Sequence, residues 1–144
     1  MTTSTALEPD TLQQPIHHPS HLVFTYGTLM RGFGNHYYLD GAEFICKAQT
    51  PAAFTMLNLG AFPGIVAKVD TSIVGEVYRV DEQTLMDLDR LEGHPTFYLR
   101  QIIGPLRLIN SEMMACLDDV MAYVLPEKWL DSRQIIESGD WRKR

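Results

Sequence analysis

The stretch VGEVYRVDEQTLMDLDRLEGHP at residues 74–95 decides the fold class, because a strand pattern in it passes directly into a helix pattern. Residues 73–80 nearly alternate apolar and polar side chains, as a half-buried strand does. Asp81 can cap a helix that runs to Leu91 or Glu92 and ends at Gly93, with a proline just beyond. The stretch therefore predicts a strand followed by one well-defined helix.

Short strand-like runs surround this unit, and each is bounded by Gly, Pro or Asn. They lie at residues 21–26, 43–48, 53–57, 64–69, 98–109 and 117–125. The run over 98–109 is interrupted by Gly104-Pro105, and Asn110-Ser111 offers a turn that lets the last run return against it. With a helical turn or two near residues 35–39, the pattern predicts an α+β domain: a small, strongly curved mixed sheet or barrel with one main helix.

The amino-terminal segment differs in composition from the rest of the chain. Residues 1–20 are rich in Thr, Pro, Gln and Ser and show no apolar period, so we expect a disordered arm followed by one domain over residues 21–144. We interpret His17, His18 and His21 as solvated side chains, because nothing in the arm would hold them around a metal ion. No other zinc-type spacing occurs, and we expect no metal site.

Composition and charge exclude several classes of partner. The net charge of −6 offers no counterion-release attraction to nucleic acid. No apolar run approaches the ~18 residues of a membrane span, and the first residues lack the features of a signal peptide. Cys46 and Cys116 are expected to be free thiols. We therefore expect a cytoplasmic protein that binds neither nucleic acid nor membrane; the sequence indicates no oligomeric state.

Glu92 is the residue whose type does not fit its predicted position. On a helical wheel it points between Leu85 and Leu88, and therefore lies on the buried stripe. Burial of a carboxyl group raises its pKa towards neutrality, which suits a general base and acid. The alternative is that Glu92 belongs to a frayed last turn and reaches solvent.

The loop Tyr26-Gly27-Thr28-Leu29 directly follows the first predicted strand. Glycine there permits a tight turn with unpaired amide groups, and successive free amides form a concave anion site. The loop is not a phosphate-binding or dinucleotide-binding motif, because the required lysine and third glycine are missing. An ordinary strand-ending turn is the alternative interpretation.

Taken together, four blocks resemble the γ-glutamylcyclotransferase family, in its AIG2-like branch. They are VFTYGTLMRGFGNH at 23–36, GAFPGIV at 60–66, GEVYRVD at 75–81 continued by LDRLEGHPTFYLR at 88–100, and SGDW at 138–141. The resemblance spans about residues 21–141. It implies the family's fold and an enzyme that cyclises the γ-glutamyl group of a γ-glutamyl amine or peptide to 5-oxoproline, with release of the amine and without a cofactor.

The resemblance also implies roles for individual residues. Glu92 matches the catalytic glutamate, the loop Tyr26-Gly27-Thr28-Leu29 matches the segment whose amides hold the substrate α-carboxylate, and Tyr98 matches a tyrosine bordering the site. Phe62 and Pro63 are candidates for either the cavity wall or the core. The identity of the leaving amine is left open.

Two other functions remain as alternatives. One is a non-catalytic ligand-binding or interaction module on the same scaffold, because a fold does not guarantee activity. The other is a thiol hydrolase that uses Cys46 or Cys116 together with His36 or His94. It requires a Cys–His pair in contact, and no spacing in the sequence indicates one.

Overall fold

A computed structural model describes residues 19–109 and 116–144 of the 144-residue chain. The strands are β1 (Ser20–Thr25), β2 (Glu43–Gln49), β3 (Phe54–Asn58), β4 (Pro63–Thr71), β5 (Val74–Asp81), β6 (Leu99–Ile102), β7 (Leu106–Leu108), β8 (Cys116–Leu117) and β9 (Val120–Val124). The α-helix is α1 (Glu82–Glu92), and short 3₁₀ turns occur at His36–Leu39, Glu127–Trp129, Ser132–Gln134 and Trp141–Lys143.

The predicted arm lies almost wholly outside the described residues, so its disorder stays a prediction. His17 and His18 lie outside them as well. Strand β1 begins at Ser20, which pairs with Asp81, and thus extends one residue into the segment predicted as arm.

Helix α1 forms where the sequence predicts it. The Asp81 side chain accepts a 2.8 Å hydrogen bond from the Thr84 N–H, which satisfies a first-turn amide. Gly93 ends the helix in the left-handed region, with φ of 68°, where glycine carries no Cβ penalty. Leu85 and Leu88 are buried, as the wheel predicts. No helix within the described ranges is long and apolar enough to cross a membrane.

Seven strands form one mixed sheet in the order β6-β9-β1-β5-β2-β7-β8. Strands β9 and β1 run parallel, and the other neighbours are antiparallel. Strands β3 and β4 form a separate antiparallel pair. The predicted mixed sheet with one main helix is confirmed, and the sheet is not closed into a barrel.

The run predicted as one interrupted strand over 98–109 is two strands with different neighbours. The backbone turns at Gly104, whose φ is 83°, and Pro105 after it has no N–H to continue a ladder. As a result, β6 and β7 lie near opposite ends of the sheet. The final run divides in the same way, and β9 returns against β6 while β8 returns against β7, as predicted. The predicted turn residues Asn110 and Ser111 lie outside the described residues.

The core consists of two clusters of buried side chains. Val23 joins a cluster with Leu85 and Leu88 of α1, whereas Phe24 joins a cluster with Trp141. Consecutive strand residues point to opposite faces, so β1 contributes to both clusters. The loop after β1 and the last turn of α1 line one cavity, and the candidate site lies there.

Candidate active site

A cavity of about 390 Å³ lies where the loop after β1 faces the last turn of α1. Its volume falls within the range of small-molecule sites, roughly 300–1,000 Å³. All the site residues predicted from the sequence line it: Tyr26, Gly27, Thr28, Leu29, Glu92 and Tyr98. Phe62 and Pro63 line it too. Residues far apart in the sequence thus share one concave surface.

Glu92 is the one acidic side chain among the described residues that line the cavity. It is partly buried, and burial raises the pKa of its carboxyl group to about 7. In the parts of the chain that the structure describes, no hydrogen bond or ion pair to the carboxylate offsets this desolvation. The last turn of α1 is anchored to the segment that follows it, because the Tyr98 N–H donates to the Glu92 carbonyl at 3.4 Å. The carboxyl group is thus able to gain and lose a proton near neutral pH.

Two carboxylates outside the cavity lining, those of Glu76 and Asp89, are engaged in other contacts. Glu76 is 2% exposed and accepts hydrogen bonds from the Arg31 N–H and the Tyr78 hydroxyl, both at 3.0 Å. Asp89 accepts a 2.7 Å hydrogen bond from the Tyr123 hydroxyl and lies 2.9 Å from the Arg100 guanidinium. Both carboxylates therefore have structural partners, whereas the Glu92 carboxylate has none among the described residues.

The loop after β1 is held in a way that leaves three consecutive amides without an acceptor among the described residues. Asn35 donates through its side chain to the Thr28 hydroxyl at 2.9 Å and through its N–H to the Thr28 carbonyl at 3.0 Å. The Leu29 carbonyl contacts the His36 ring at 2.9 Å. The N–H groups of Gly27, Thr28 and Leu29 donate to no described residue. Successive unpaired amides are the arrangement that binds a carboxylate or another anion.

Gly27 provides space for a neighbour, which corrects the sequence-based reason for a glycine there. A turn does form, since the Met30 N–H donates to the Gly27 carbonyl at 3.0 Å. However, Gly27 is not among the glycines with positive φ. A Cβ atom at this position would lie 2.7 Å from the Cγ and Cδ atoms of Pro63. Glycine therefore permits the close approach of the loop to this ring.

Two buried tyrosines shape the cavity wall. The Tyr26 hydroxyl donates to the Tyr123 carbonyl at 2.6 Å and accepts from the Ile65 N–H at 3.3 Å. The Tyr98 hydroxyl donates to the Pro63 carbonyl at 2.6 Å. Burial raises the pKa of both phenols above their usual value. Both side chains are thus neutral and fix the wall through backbone contacts.

Tyr123 and Phe97 also line the cavity, and the sequence did not single them out. Tyr123 lies on β9, where four of five consecutive residues are buried, so no alternation marks the side facing the cavity. Phe97 directly precedes Tyr98, and this position in the sequence was the signal that could have identified it as a cavity residue.

The described part of the chain does not support a thiol site. Burial raises the pKa of the Cys46 thiol, whereas reactive cysteines have a lowered pKa. His36 contacts the Leu29 carbonyl, and the His94 ring accepts a hydrogen bond from the Arg100 N–H at 2.9 Å. The side chain of Cys116 lies outside the description. Within residues 19–109 and 116–144, no group of three or more potential ligands could hold a metal ion.

Comparison with known proteins places this site in a family context. The sequence model of the family described as "Gamma-glutamyl cyclotransferase, AIG2-like" matches residues 23–143. A protein of Vibrio cholerae is 37% identical over 124 residues, which cover 86% of this chain and 97% of the relative. A protein of Methanocaldococcus jannaschii, MJ1514, is 39% identical over 83% of this chain and 94% of its own length. Both are named provisionally as γ-glutamylcyclotransferases.

A solved structure has the same fold. The crystal structure of an AIG2-like protein from mouse superposes with a TM-score of 0.71 and 26% sequence identity. The match covers 86% of this chain and 88% of the mouse chain. The similarity to the mouse protein therefore extends over most of both chains.

Proposed function

The chain belongs to the γ-glutamyl cyclotransferase, AIG2-like family, and we propose that it cyclises the γ-glutamyl group of a γ-glutamyl amide to 5-oxoproline. The observation that carries the proposal is the Glu92 carboxyl group, with a pKa of about 7, in the same cavity as three loop amides that donate to no described residue. This pairing supplies an acid–base group and an anion site for one small ligand.

The proposed reaction balances without any further reactant. The substrate's α-amine nitrogen attacks its own γ-carbonyl carbon and forms the new lactam bond. The bond from that carbon to the leaving nitrogen then breaks. Glu92 accepts the proton lost by the attacking amine and donates a proton to the departing amine. Because both reacting groups belong to one molecule, correct positioning supplies much of the rate.

Substrate positioning is assigned to the loop after β1. The N–H groups of Gly27, Thr28 and Leu29 would hold the α-carboxylate and so set the direction of the neighbouring α-amine. An α-amine is largely protonated at pH 7, since its pKa is about 7.7–8.0 or above. An ionised Glu92 close to that ammonium group can remove the proton that blocks attack. Tyr98 contributes by holding the Pro63 carbonyl.

The test measures 5-oxoproline released from a panel of γ-glutamyl compounds by the parent protein, Glu92→Gln and Glu82→Gln. Loss of a general acid–base group typically costs about 10²–10⁴-fold in rate, so we expect a loss of this size in Glu92→Gln. Glu82 lies at the exposed first turn of the same helix and provides the matched control. Its variant should turn over at the parental rate.

Other outcomes would exclude the proposal. Release of 5-oxoproline by Glu92→Gln at the parental rate would exclude Glu92 as the acid–base group. Binding of γ-glutamyl compounds by the parent protein without any turnover would favour the non-catalytic binding module.

A further inference from the structure

Three tyrosine rings share the cavity with Glu92, and each comes from a different part of the fold. Tyr26 lies in the loop after β1, Tyr98 lies in the segment after α1, and Tyr123 lies on β9. Burial is the main cause that raises the pKa of each phenol, and the negative charge of Glu92 raises it further. All three rings therefore lie within electrostatic reach of the Glu92 carboxylate.

The proton of each phenol is nevertheless donated elsewhere. The Tyr26 hydroxyl donates to the Tyr123 carbonyl at 2.6 Å. The Tyr98 hydroxyl donates to the Pro63 carbonyl, also at 2.6 Å. The Tyr123 hydroxyl donates to the Asp89 Oδ1 atom at 2.7 Å. Of these three phenols, Tyr123 is therefore the one whose acceptor is a side chain, and the one that a substitution of its acceptor can release.

Asp89 is held in place by a residue of the strand beside Tyr123. Arg100 lies directly opposite Tyr123 in the pairing of β6 with β9. Its Nε atom lies 2.9 Å from the same Oδ1 atom of Asp89, and both side chains are less than a quarter exposed. The Nε–H is not directed at a hydrogen-bond acceptor among the described residues, so the contact with Asp89 is an ion pair. The Asp89 carboxylate is thus fixed from two sides.

The Tyr123 hydroxyl is a potential donor to Glu92. Asp89 precedes Glu92 by three residues on α1, and side chains at this spacing are neighbours on one helix face. Among the described residues that line the cavity there is no Lys, Arg or His, so the titratable groups facing Glu92 are the three phenols and Asp89. His94, in the segment after α1, accepts the Arg100 N–H instead. A hydrogen bond donated to a carboxylate favours its ionised form.

We propose that Asp89 is a positioning residue for Glu92: by accepting the Tyr123 hydroxyl, it keeps this donor turned away from the Glu92 carboxylate. Arg100 holds the Asp89 carboxylate in the orientation that this requires. As a result, Glu92 is left without a donor among the described residues, and it binds a proton tightly enough to exchange it near neutral pH. The consequence for turnover rests on the proposed function, whereas the effect on the Glu92 carboxyl group does not.

NMR titration of the Glu92 carboxyl carbon tests the proposal without any turnover, and the signal missing from Glu92→Gln assigns it. In the parent protein the group should titrate near its pKa of about 7. In Asp89→Ala the Tyr123 hydroxyl loses its acceptor and becomes free to donate to Glu92. We therefore expect the midpoint to fall by about one pH unit.

Two matched variants separate the hydrogen bond from the charge of Asp89. Asp89→Asn removes the charge but keeps a carbonyl oxygen that can accept the Tyr123 hydroxyl, so its midpoint should stay near the parental value. Asp87→Ala removes a carboxylate from the same helix outside the cavity lining, and its midpoint should not move. In Asp89→Ala combined with Tyr123→Phe no hydroxyl is left to donate, so the midpoint should return towards the parental value.

Three results would overturn the inference. They are an unchanged midpoint in Asp89→Ala, an equal fall in Asp89→Ala and Asp89→Asn, and a fall that persists when Tyr123→Phe is added. If Asp89→Ala does not fold, Asp89→Ala and Asp89→Asn are each combined with Arg100→Met. The same comparison is then made without an unpaired guanidinium.

The titration and the turnover assay separate this inference from the proposed function. In an active protein, the rise of kcat/KM with pH should move together with the Glu92 midpoint. If the parent protein releases no 5-oxoproline, the proposed function fails, and the midpoints of the variants still decide the role of Asp89. Release of 5-oxoproline together with an unchanged midpoint in Asp89→Ala overturns the role of Asp89 and leaves the proposed function standing.

Discussion

Gly27 and Pro63 approach so closely that a Cβ atom on Gly27 would lie 2.7 Å from the proline ring. The two residues belong to different elements, the loop after β1 and the first position of β4. Pro63 is also held from its other side, since its carbonyl accepts the Tyr98 hydroxyl hydrogen bond at 2.6 Å. The position of the proposed anion site therefore depends on a contact between backbone and ring.

Gly27→Ala should impair substrate binding more than Thr28→Ala does. The added methyl group must displace either the loop or the Pro63 ring, and either movement shifts the amides. We expect a rise in KM of about tenfold, the usual cost of 1.4 kcal/mol. Thr28→Ala loses one hydrogen bond from Asn35, about 1 kcal/mol of stability, with a smaller effect on KM. Equal effects on KM would instead indicate that the Thr28 hydroxyl contacts the substrate.

Turnover should rise with pH and reach half its plateau near pH 7. The base form of Glu92 is the ionised one, and burial raises the pKa of its carboxyl group to about 7. The rise in kcat/KM should appear between pH 5 and 8. The amine of the free substrate is titrated separately, because it loses its proton at higher pH. Constant activity down to pH 5 would contradict the assignment.

The contribution of Glu92 to the free energy of unfolding should fall as pH rises, whereas turnover should rise. Its folded-state pKa of about 7 exceeds the ordinary value of 4.5, so between these pH values the folded protein binds more protons than the unfolded chain. The free energy of unfolding therefore falls as pH rises from 4.5 to 7. Above pH 7 the carboxylate is ionised in the folded protein too, so the full cost of its desolvation is present. Below pH 4.5 the carboxyl is protonated in both states.

Glu92→Gln should thus gain melting temperature relative to the parent as pH rises from about 4.5 to 7, and the gain should then level off. Melting curves at several pH values measure the difference. Glu137→Gln, at an exposed position, controls for the loss of one negative charge. A difference that does not change with pH would show that Glu92 is not desolvated.

Arg142 should stabilise the loop from the end of the chain. Its guanidinium donates to the Arg31 carbonyl at 2.5 Å and to the buried Glu76 carboxylate at 3.2 Å. Arg142→Ala removes a positively charged hydrogen-bond donor from the buried Glu76 carboxylate. We therefore expect a loss of about 1–3 kcal/mol in the free energy of unfolding. Lys143→Ala is the matched control on the neighbouring exposed side chain.

A second variant separates charge compensation from packing. Combining Arg142→Ala with Glu76→Gln removes the poorly compensated charge, so the double variant should recover part of the lost stability. Chemical denaturation of the single and double variants measures this coupling. Strict additivity would show that Arg142 acts through its contacts with the Arg31 carbonyl and the Phe33 ring and not through Glu76.

Much of the local structure could be predicted because its signals lie within a few residues of one another. Asp81 caps α1 through Thr84, three positions along, and Gly93 ends the helix directly after its last turn. Glu92 could be recognised for the same reason, since Leu85 and Leu88 lie one or two turns before it on the same stripe. Each of these relationships involves a single element, so periodicity and capping rules were sufficient.

The division of the long run at Gly104 could not be predicted, because it depends on where the two halves find neighbours in the sheet. One half pairs with β9, and the other pairs with β2 and β8. An interruption in a strand pattern looks the same whether the chain resumes its course or moves to the other side of the sheet.

The sequence by itself determined the helix, most strands and the α+β class, because these follow from composition, period and local chain chemistry. The same signals singled out Glu92 and the loop at residues 26–29, whereas Tyr98 was named only through the resemblance to a family. Only the tertiary structure decided that Gly27 meets Pro63, that Arg142 reaches Glu76, and that the Glu92 carboxylate has no partner in the described chain. These contacts join residues 36 or more positions apart. They arise from the packing of separate elements, in which burial and pairing are properties of the assembled sheet and not of any one segment.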